Sequence, residues 1–159
     1  MAASLRKPIA SPEEIASYYT DNLVAEQYIK KRFTDPLNVV EHKQQVAVLN
    51  QVITNTKSKN ILEFAPGPAR VTSELNIENG TSVDISSSML ELARKRMEEK
   101  GKKWKFIHGD ILKMHFPYKY DLIFAVRFFL HFKVEERRRI YAQSYEFLKS
   151  NGYLAFEVM

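Results

Sequence analysis

Asn60-Ile61-Leu62-Glu63-Phe64-Ala65-Pro66-Gly67-Pro68-Ala69 is the stretch that decides the fold. Asn60 to Phe64 has the short apolar texture of a buried strand. Small residues then stand at the alternate positions 65, 67 and 69. A chain that turns sharply with a ligand pressed on its backbone needs small side chains there. Pro66 and Pro68 stiffen the turn but remove two N–H donors. That argues against a phosphate cradle, which is built from several backbone N–H groups. The loop also lacks the Lys-Ser/Thr of a P-loop and the third glycine of the dinucleotide fingerprint. A plain strand-to-helix turn would use the same residues, so the loop alone leaves both readings open.

Downstream of this stretch, short apolar runs alternate with amphipathic helices. Thr81–Ile85, Trp104–His108, Tyr120–Val126 and Gly152–Val158 read as four further strands. A helix over about Ser87–Lys100 buries Met89, Leu90, Ala93 and Met97, and Gly101 ends it. Another, over Val134–Lys149, turns Ile140, Tyr141, Ser144 and Leu148 inward. Only short segments join the first strand to the second and the third to the fourth, so those crossovers are abbreviated. Strand–helix alternation means parallel pairing in an α/β, Rossmann-like sheet. Such a sheet holds its ligand beyond the carboxyl ends of its strands. Chemistry should therefore collect just after Phe64, Asp84, His108 and Val126.

Upstream, the chain reads helical. Ser11-Pro12-Glu13-Glu14 is a helix start, with a capping serine, proline at the first helical position and acids favoured by the dipole. This helix runs to about Phe33, and Asp35-Pro36 breaks it. A second runs over about Leu37–Thr54 with Val39, Val46, Leu49 and Ile53 on one stripe. Residues 1–56 are thus expected to form a helical cap segment, and 57–159 a ligand-binding core, together one domain.

Three more positions follow from the strand ends. Asp84 stands twenty-one residues beyond Glu63, where an acid can accept both hydroxyls of a ribose. It is also placed to cap a helix at Ser86-Ser87-Ser88. Gly109-Asp110-Ile111 follows the third strand. A carboxylate there can accept from an exocyclic amine such as adenine presents, or simply close a turn. Val126-Arg127-Phe128-Phe129-Leu130-His131 follows the fourth strand, and its backbone would flank the far end of a ligand. His131 is a candidate base, against the plainer reading of a packed or helix-initiating histidine.

Composition narrows the classes. With 45% hydrophobic residues and 12% aromatics, 159 residues suffice for a real core. No apolar run approaches the roughly 18 residues of a membrane span. Arg6 and Lys7 have no apolar stretch behind them, so Met1–Ile15 does not read as a secretory signal. The absence of cysteine excludes disulfides, thiol nucleophiles and thiolate metal sites, and it fits a cytoplasmic protein. A net charge of +5 raises a nucleic-acid reading. The basic residues, however, cluster in Arg94–Lys105 and Arg137–Arg139 beside glutamates on helical patterns, as solvated faces do. No His/Asp/Glu set has metal-ligand spacing.

Taken in order, these pieces resemble class I S-adenosylmethionine-dependent methyltransferases, whose fold is Rossmann-like. Glu63-Phe-Ala65-Pro-Gly67-Pro-Ala69 is similar to that family's acid-x-Gly-x-Gly-x-Gly loop, with two glycines replaced by alanine. Asp84-Ile-Ser-Ser-Ser-Met89-Leu90-Glu-Leu-Ala93 resembles its second motif, and Gly109-Asp110 its adenine-side motif. Tyr120-Asp121-Leu-Ile-Phe resembles its fourth strand, and Leu148-Lys-Ser-Asn-Gly152-Tyr-Leu its turn into the fifth. The resemblance covers about residues 60–158, and a weaker likeness to cap helices extends over Tyr18, Tyr28 and Arg32-Phe33.

The resemblance implies S-adenosylmethionine as cofactor and S-adenosylhomocysteine as product. It would place Glu63, Ala65, Gly67 and Pro68 at the methionine end. Asp84 would hold the ribose. Ile85 and Met89 would lie near the adenine, and Gly109, Asp110 and Ile111 at its edge. Val126 and Arg127 would flank the far end, and Tyr18 or Tyr19 would close over the site. It implies methyl transfer to a small-molecule acceptor by in-line displacement. The family fold has seven strands and about five are legible here. The expectation is a shortened fold whose fifth-strand edge self-associates and whose activity is weak or lost. A non-catalytic S-adenosylmethionine-binding module and a basic nucleic-acid-binding protein remain the alternatives.

Overall fold

The computed structural model describes Glu14, Ser17, Tyr18 and residues 35–157. The expected first helix falls almost entirely outside the described residues. So do Tyr19 and Tyr28. Where the chain is described there, Glu14, Ser17 and Tyr18 are helical.

Helix α1 spans Pro36–Thr56. Asp35 caps it, its carboxylate accepting from the Leu37 N–H at 2.9 Å, and Pro36 takes the position where a missing N–H costs nothing. Lys57, in left-handed backbone at φ +53°, ends it. The chain then enters β1 (Ile61–Phe64), whose four side chains are all buried. A single 3-10 turn, Thr72–Glu74, leads to β2 (Asn79–Asp84). Helix α2 (Ser87–Glu99) follows, capped by Ser86, whose hydroxyl accepts from the Met89 N–H. Strand β3 (Lys103–His108), a 3-10 turn at Ile111–Lys113 and β4 (Tyr120–Ala125) come next. A third 3-10 turn, Phe129–His131, helix α3 (Val134–Phe147) and β5 (Leu148–Phe156) complete the order.

The five strands form one parallel sheet in the order β3-β2-β1-β4-β5. The alternation along β4 assigns its two faces. Leu122 and Phe124 meet Leu49 and Ile53 of α1 with Val71 and Leu75. Ile123 and Ala125 meet Phe129, Phe132, Ile140 and Phe147 on the other face. Ala93 and Met97 of α2 pack with Ala69 and against Trp104 and Phe106. Each of these fully buried large apolar side chains contributes about 2 kcal/mol through lost water contact.

Two expectations need correction. Val39 does not belong to the inward stripe of α1: it is exposed, and His42 faces inward at that level. The upper half of α1 lies over strand ends rather than over the sheet face, where polar side chains find partners. Strand β5 also begins at Leu148, not Gly152, because pairing with β4 starts early and is interrupted. Tyr120 pairs with Leu148, whereas Leu122 pairs with Tyr153. The intervening residues bulge out past Asp121, whose carboxylate accepts from the Lys59 and Asn60 N–H groups and from Lys149 Nζ. Gly152 is required in this bulge: a Cβ there would lie 3.0 Å from the Tyr120 carbonyl oxygen.

Candidate functional site

Because β1 lies between β2 and β4, chain order reverses at its carboxyl end. The loop after β1 occupies that point. Ala65, Gly67 and Ala69 all adopt left-handed backbone, with φ of +50°, +53° and +52°. Smallness at these positions therefore has a backbone cause as well as a surface one. A Cβ added at Gly67 would meet nothing within 4 Å.

The loop's N–H groups are all engaged within the protein. Ala65 N donates to the Val83 carbonyl at 2.8 Å, Gly67 N to Asp84 Oδ2 at 3.1 Å, and Ala69 N to the Pro66 carbonyl at 3.0 Å. Pro66 and Pro68 have none to offer. The loop thus presents small surfaces, not a ring of donors, to whatever binds above it.

Beneath the loop, Glu63 is 3% exposed. Thr72 Oγ1 donates to Oε1 and Oε2 at 2.7 and 2.8 Å, and Ser82 Oγ donates to Oε2 at 2.6 Å. Trp104 Nε1 donates in turn to Ser82 Oγ at 2.7 Å. Burial pushes the Glu63 carboxyl up to about 7 against the pull of these hydroxyls. Glu63 was expected to touch a ligand's methionine end. Its carboxylate instead joins β1, β2, β3 and the turn after the loop, which makes it a positioning residue.

Asp84 is also buried. Oδ1 accepts from the Ser86 N–H at 2.9 Å and Oδ2 from the Gly67 N–H. Burial raises its pKa, opposed by those backbone N–H groups and by His108. The carboxylate therefore anchors the β1 loop to the end of β2. The carboxylate keeps acceptor capacity beyond these bonds, so accepting from a diol remains chemically open to it. Asp110 accepts from the Leu112 N–H at 3.0 Å and lies 3.6 Å from Lys113 Nζ. That is the turn-closing geometry weighed for it above. Gly109 N donates to the Asp84 carbonyl, which brings the β2 and β3 ends together.

Ile85 is half-buried and its carbonyl accepts from His108 Nε2 at 2.9 Å. Met89 and Ile111 are buried. Met89 is closed in on the inner side of α2, and Ile111 belongs to the core cluster. Val126 is half-buried and packs against the α1-side core. His131 ends the Phe129–His131 turn and is half-buried. Tyr18, on its separate helical segment, is exposed.

Arg127 carries more structure than the sequence suggested. Its backbone is left-handed, φ +58°. Nη1 donates to Glu41 at 3.0 and 2.9 Å, and the backbone N–H to Glu157 Oε2 at 3.1 Å. Gln45 donates to Glu157 Oε1 at 3.1 Å and accepts from Arg70 Nη2 at 3.1 Å. Glu41, Gln45, Arg70 and Glu157 were not singled out from the sequence. The polar recess between Lys59, Asn60, Asp121, Lys149 and Tyr153 lies at the opposite, N-terminal ends of the strands. Among the described residues, no group of three or more His, Asp or Glu is placed to hold a metal ion. No helix among them is long and apolar enough to cross a membrane.

Comparison with known proteins agrees with this architecture. A family model described as a methyltransferase domain matches residues 61–152. Malonyl-[acyl-carrier protein] O-methyltransferase of Priestia megaterium (strain DSM 319 / IMG 1521) is 30% identical over 148 residues, covering 84% of this chain and 52% of its own. The chain thus spans about half the length of that curated relative. An S-adenosylmethionine-dependent methyltransferase from Clostridium acetobutylicum ATCC 824 superposes with a TM-score of 0.65 at 20% identity, covering 85% of this chain and 56% of its own. The structure of a DhpI–SAH complex gives 0.71 at 19%, covering 91% and 67%. N-methyltransferase NodS from Bradyrhizobium japonicum WM9, in complex with S-adenosyl-l-homocysteine, gives 0.67 at 18%, covering 86% and 72%. At these identities the structural likeness is one of fold. The family match covers more than half of the chain and falls on the strands and loops that build the site, so the chain belongs to the methyltransferase domain family, of the class I, S-adenosylmethionine-dependent kind.

Proposed function

We propose that this chain binds S-adenosylmethionine over the carboxyl ends of β1 and β2 and forms the cofactor-binding part of a methyltransferase acting on a small-molecule acceptor. The observation that carries the reading is the loop Ala65–Ala69. It turns left-handed three times, is tied to Asp84, and has its N–H groups satisfied inside the protein. A site of that kind disfavours phosphate, which needs free donors, and favours a nucleoside whose diol faces a carboxylate. The presence of SAM or SAH in the DhpI and NodS structures supports the same ligand.

In this reading Asp84 accepts the ribose hydroxyls, with Ile85 beside the base and Gly109 and Asp110 at its edge, while Met89 and Ile111 back that edge from the core. Ala65, Gly67 and Pro68 lie under the methionine end, Val126 and Arg127 flank it, and Tyr18 or Tyr19 covers it. Glu63 holds the loop in place from below. When bound, the cofactor supplies an activated methyl group. The chain's own task is then to align an acceptor in line and to exclude water. A base is needed only for an acceptor that must lose a proton, and His131 is the candidate on the β4 side.

The name of the Priestia relative carries an oxygen acceptor on a malonyl group, which makes carboxylates such as malonyl thioesters the first acceptors to test, followed by phenols and amines. Production of S-adenosylhomocysteine with one acceptor class supports the enzyme. Cofactor binding with no turnover on any acceptor would instead favour a binding module of the same fold. The cap segment 1–56 and core 57–159, a cytoplasmic location and self-association through the β5 edge belong to the same proposal. Sedimentation of the chain at several concentrations tests the last of these, and a concentration-independent monomer would refute it.

A further inference from the structure

The apolar seat of α1 is confined to its second half. Leu49 and Ile53 are buried, and Val46 and Val52 pack beside them. Leu37, Val39 and Val40 in the first half are exposed. What holds that half to the molecule is polar: buried His42 meets Glu74 at 3.1 Å, and a second set lies at the strand ends. Glu41 receives the Arg127 guanidinium on both oxygens, and Gln45 bonds both Glu157 and Arg70. Glu157 closes the circuit by accepting from the Arg127 N–H. One connected set of five side chains thus joins α1 to the loop after β1, the second residue after β4 and the residue after β5. The set holds two arginines and two glutamates, so its formal charge is zero.

Arg127 pays a backbone cost to take part. Left-handed φ is disfavoured for a residue with a Cβ, and the Glu157 bond to its own N–H holds it there. The Glu41–Arg127 pair is about a quarter exposed on each side, 28% and 23%. Pairs that wet contribute little to global stability, but they decide how a weakly packed segment is seated.

We propose that the Glu41–Arg127 pair is a latch that seats the first half of α1 over the cofactor site, so that cofactor affinity depends on it through Gln45 and Arg70. This rests on the S-adenosylmethionine reading above. Glu41 is a positioning residue; Arg127 flanks the cofactor with its backbone, which Arg127→Gly keeps, and positions α1 with its guanidinium.

The test is calorimetric titration with S-adenosylhomocysteine of the unaltered chain, Glu41→Gln, Arg127→Gly and the double variant. Arg127→Gly suits the left-handed backbone while removing the guanidinium, so it separates the latch from backbone strain. Each single variant should weaken binding about tenfold, and the double no more than either single. Hydrogen exchange should rise in 36–45 and not in 49–56. Binding unchanged in both single variants, losses that add in the double, or exchange unchanged in 36–45 would each overturn the latch. No binding by the unaltered chain would overturn the cofactor reading first, and the latch with it.

Discussion

Glu63 is a carboxylate enclosed by hydroxyls, and its pH behaviour follows from that enclosure. Its folded pKa is pushed up to about 7 by burial, above the ordinary 4.5. The folded state therefore keeps a proton that the unfolded chain releases between those values. Its contribution to stability is fully present below about pH 4.5 and is lost as pH rises to about 7, on the order of 3 kcal/mol. Glu63→Gln should flatten that part of the profile. Denaturant midpoints at pH 5 and pH 8 check it, and an equal slope in both proteins would contradict the enclosure. Ala65 and Ala69 make a second case at this scale. Both hold left-handed backbone that glycine adopts without penalty. Ala65→Gly should raise the unfolding free energy by up to about 1 kcal/mol, because relieved strain exceeds the added chain entropy, whereas at Ala69 the loss of a buried methyl packed on Ala93 and Met97 offsets that gain. Sequence reading attributed the need for small residues here to a sharp turn with a ligand pressed on it. The positive φ is a fact of the folded path, which residue type alone does not disclose.

Among the elements, β2 and β3 are matched through one close approach. A Cβ at Gly80 would lie 2.4 Å from the Trp104 ring, the ring whose N–H supports Ser82 and so Glu63. Gly80→Ala should cost about 1–3 kcal/mol by displacing that ring, read as a drop in thermal midpoint. A silent substitution would show that Trp104 does not lie against β2 as described. Helix α1 shows what the sequence could not supply. Its existence was plain from the stripe that includes Leu49 and Ile53, while Asp35-Pro36 was read as a break and proves to be its cap. Its upper half was read as an extension of the same apolar stripe, because periodicity cannot distinguish a sheet face from a strand end. The partners of Glu41 and Gln45 lie 86 and 112 residues away. Charged residues on a helix read as solvated until the fold brings such partners to them.

At the scale of the molecule, the parallel sheet was legible in the sequence, because buried parallel strands are short apolar runs separated by helical periods. Asp84 and Asp110 were located correctly as strand-end acids, yet their engagement with Gly67, Ser86 and Leu112 appears only in three dimensions. The family match over 61–152 establishes the lineage of the fold. The chain spans about half the length of its curated relative, and the family match leaves the acceptor to the turnover assays. An adenosyl ligand held at Asp84 is the central claim about this chain. Calorimetric titration of the unaltered chain and of Asp84→Ala with S-adenosylmethionine measures it. Saturable one-site binding by the first, and a loss of at least about a hundredfold in the second, is the predicted result. No heat with the unaltered chain, or equal affinity in the two, would contradict it.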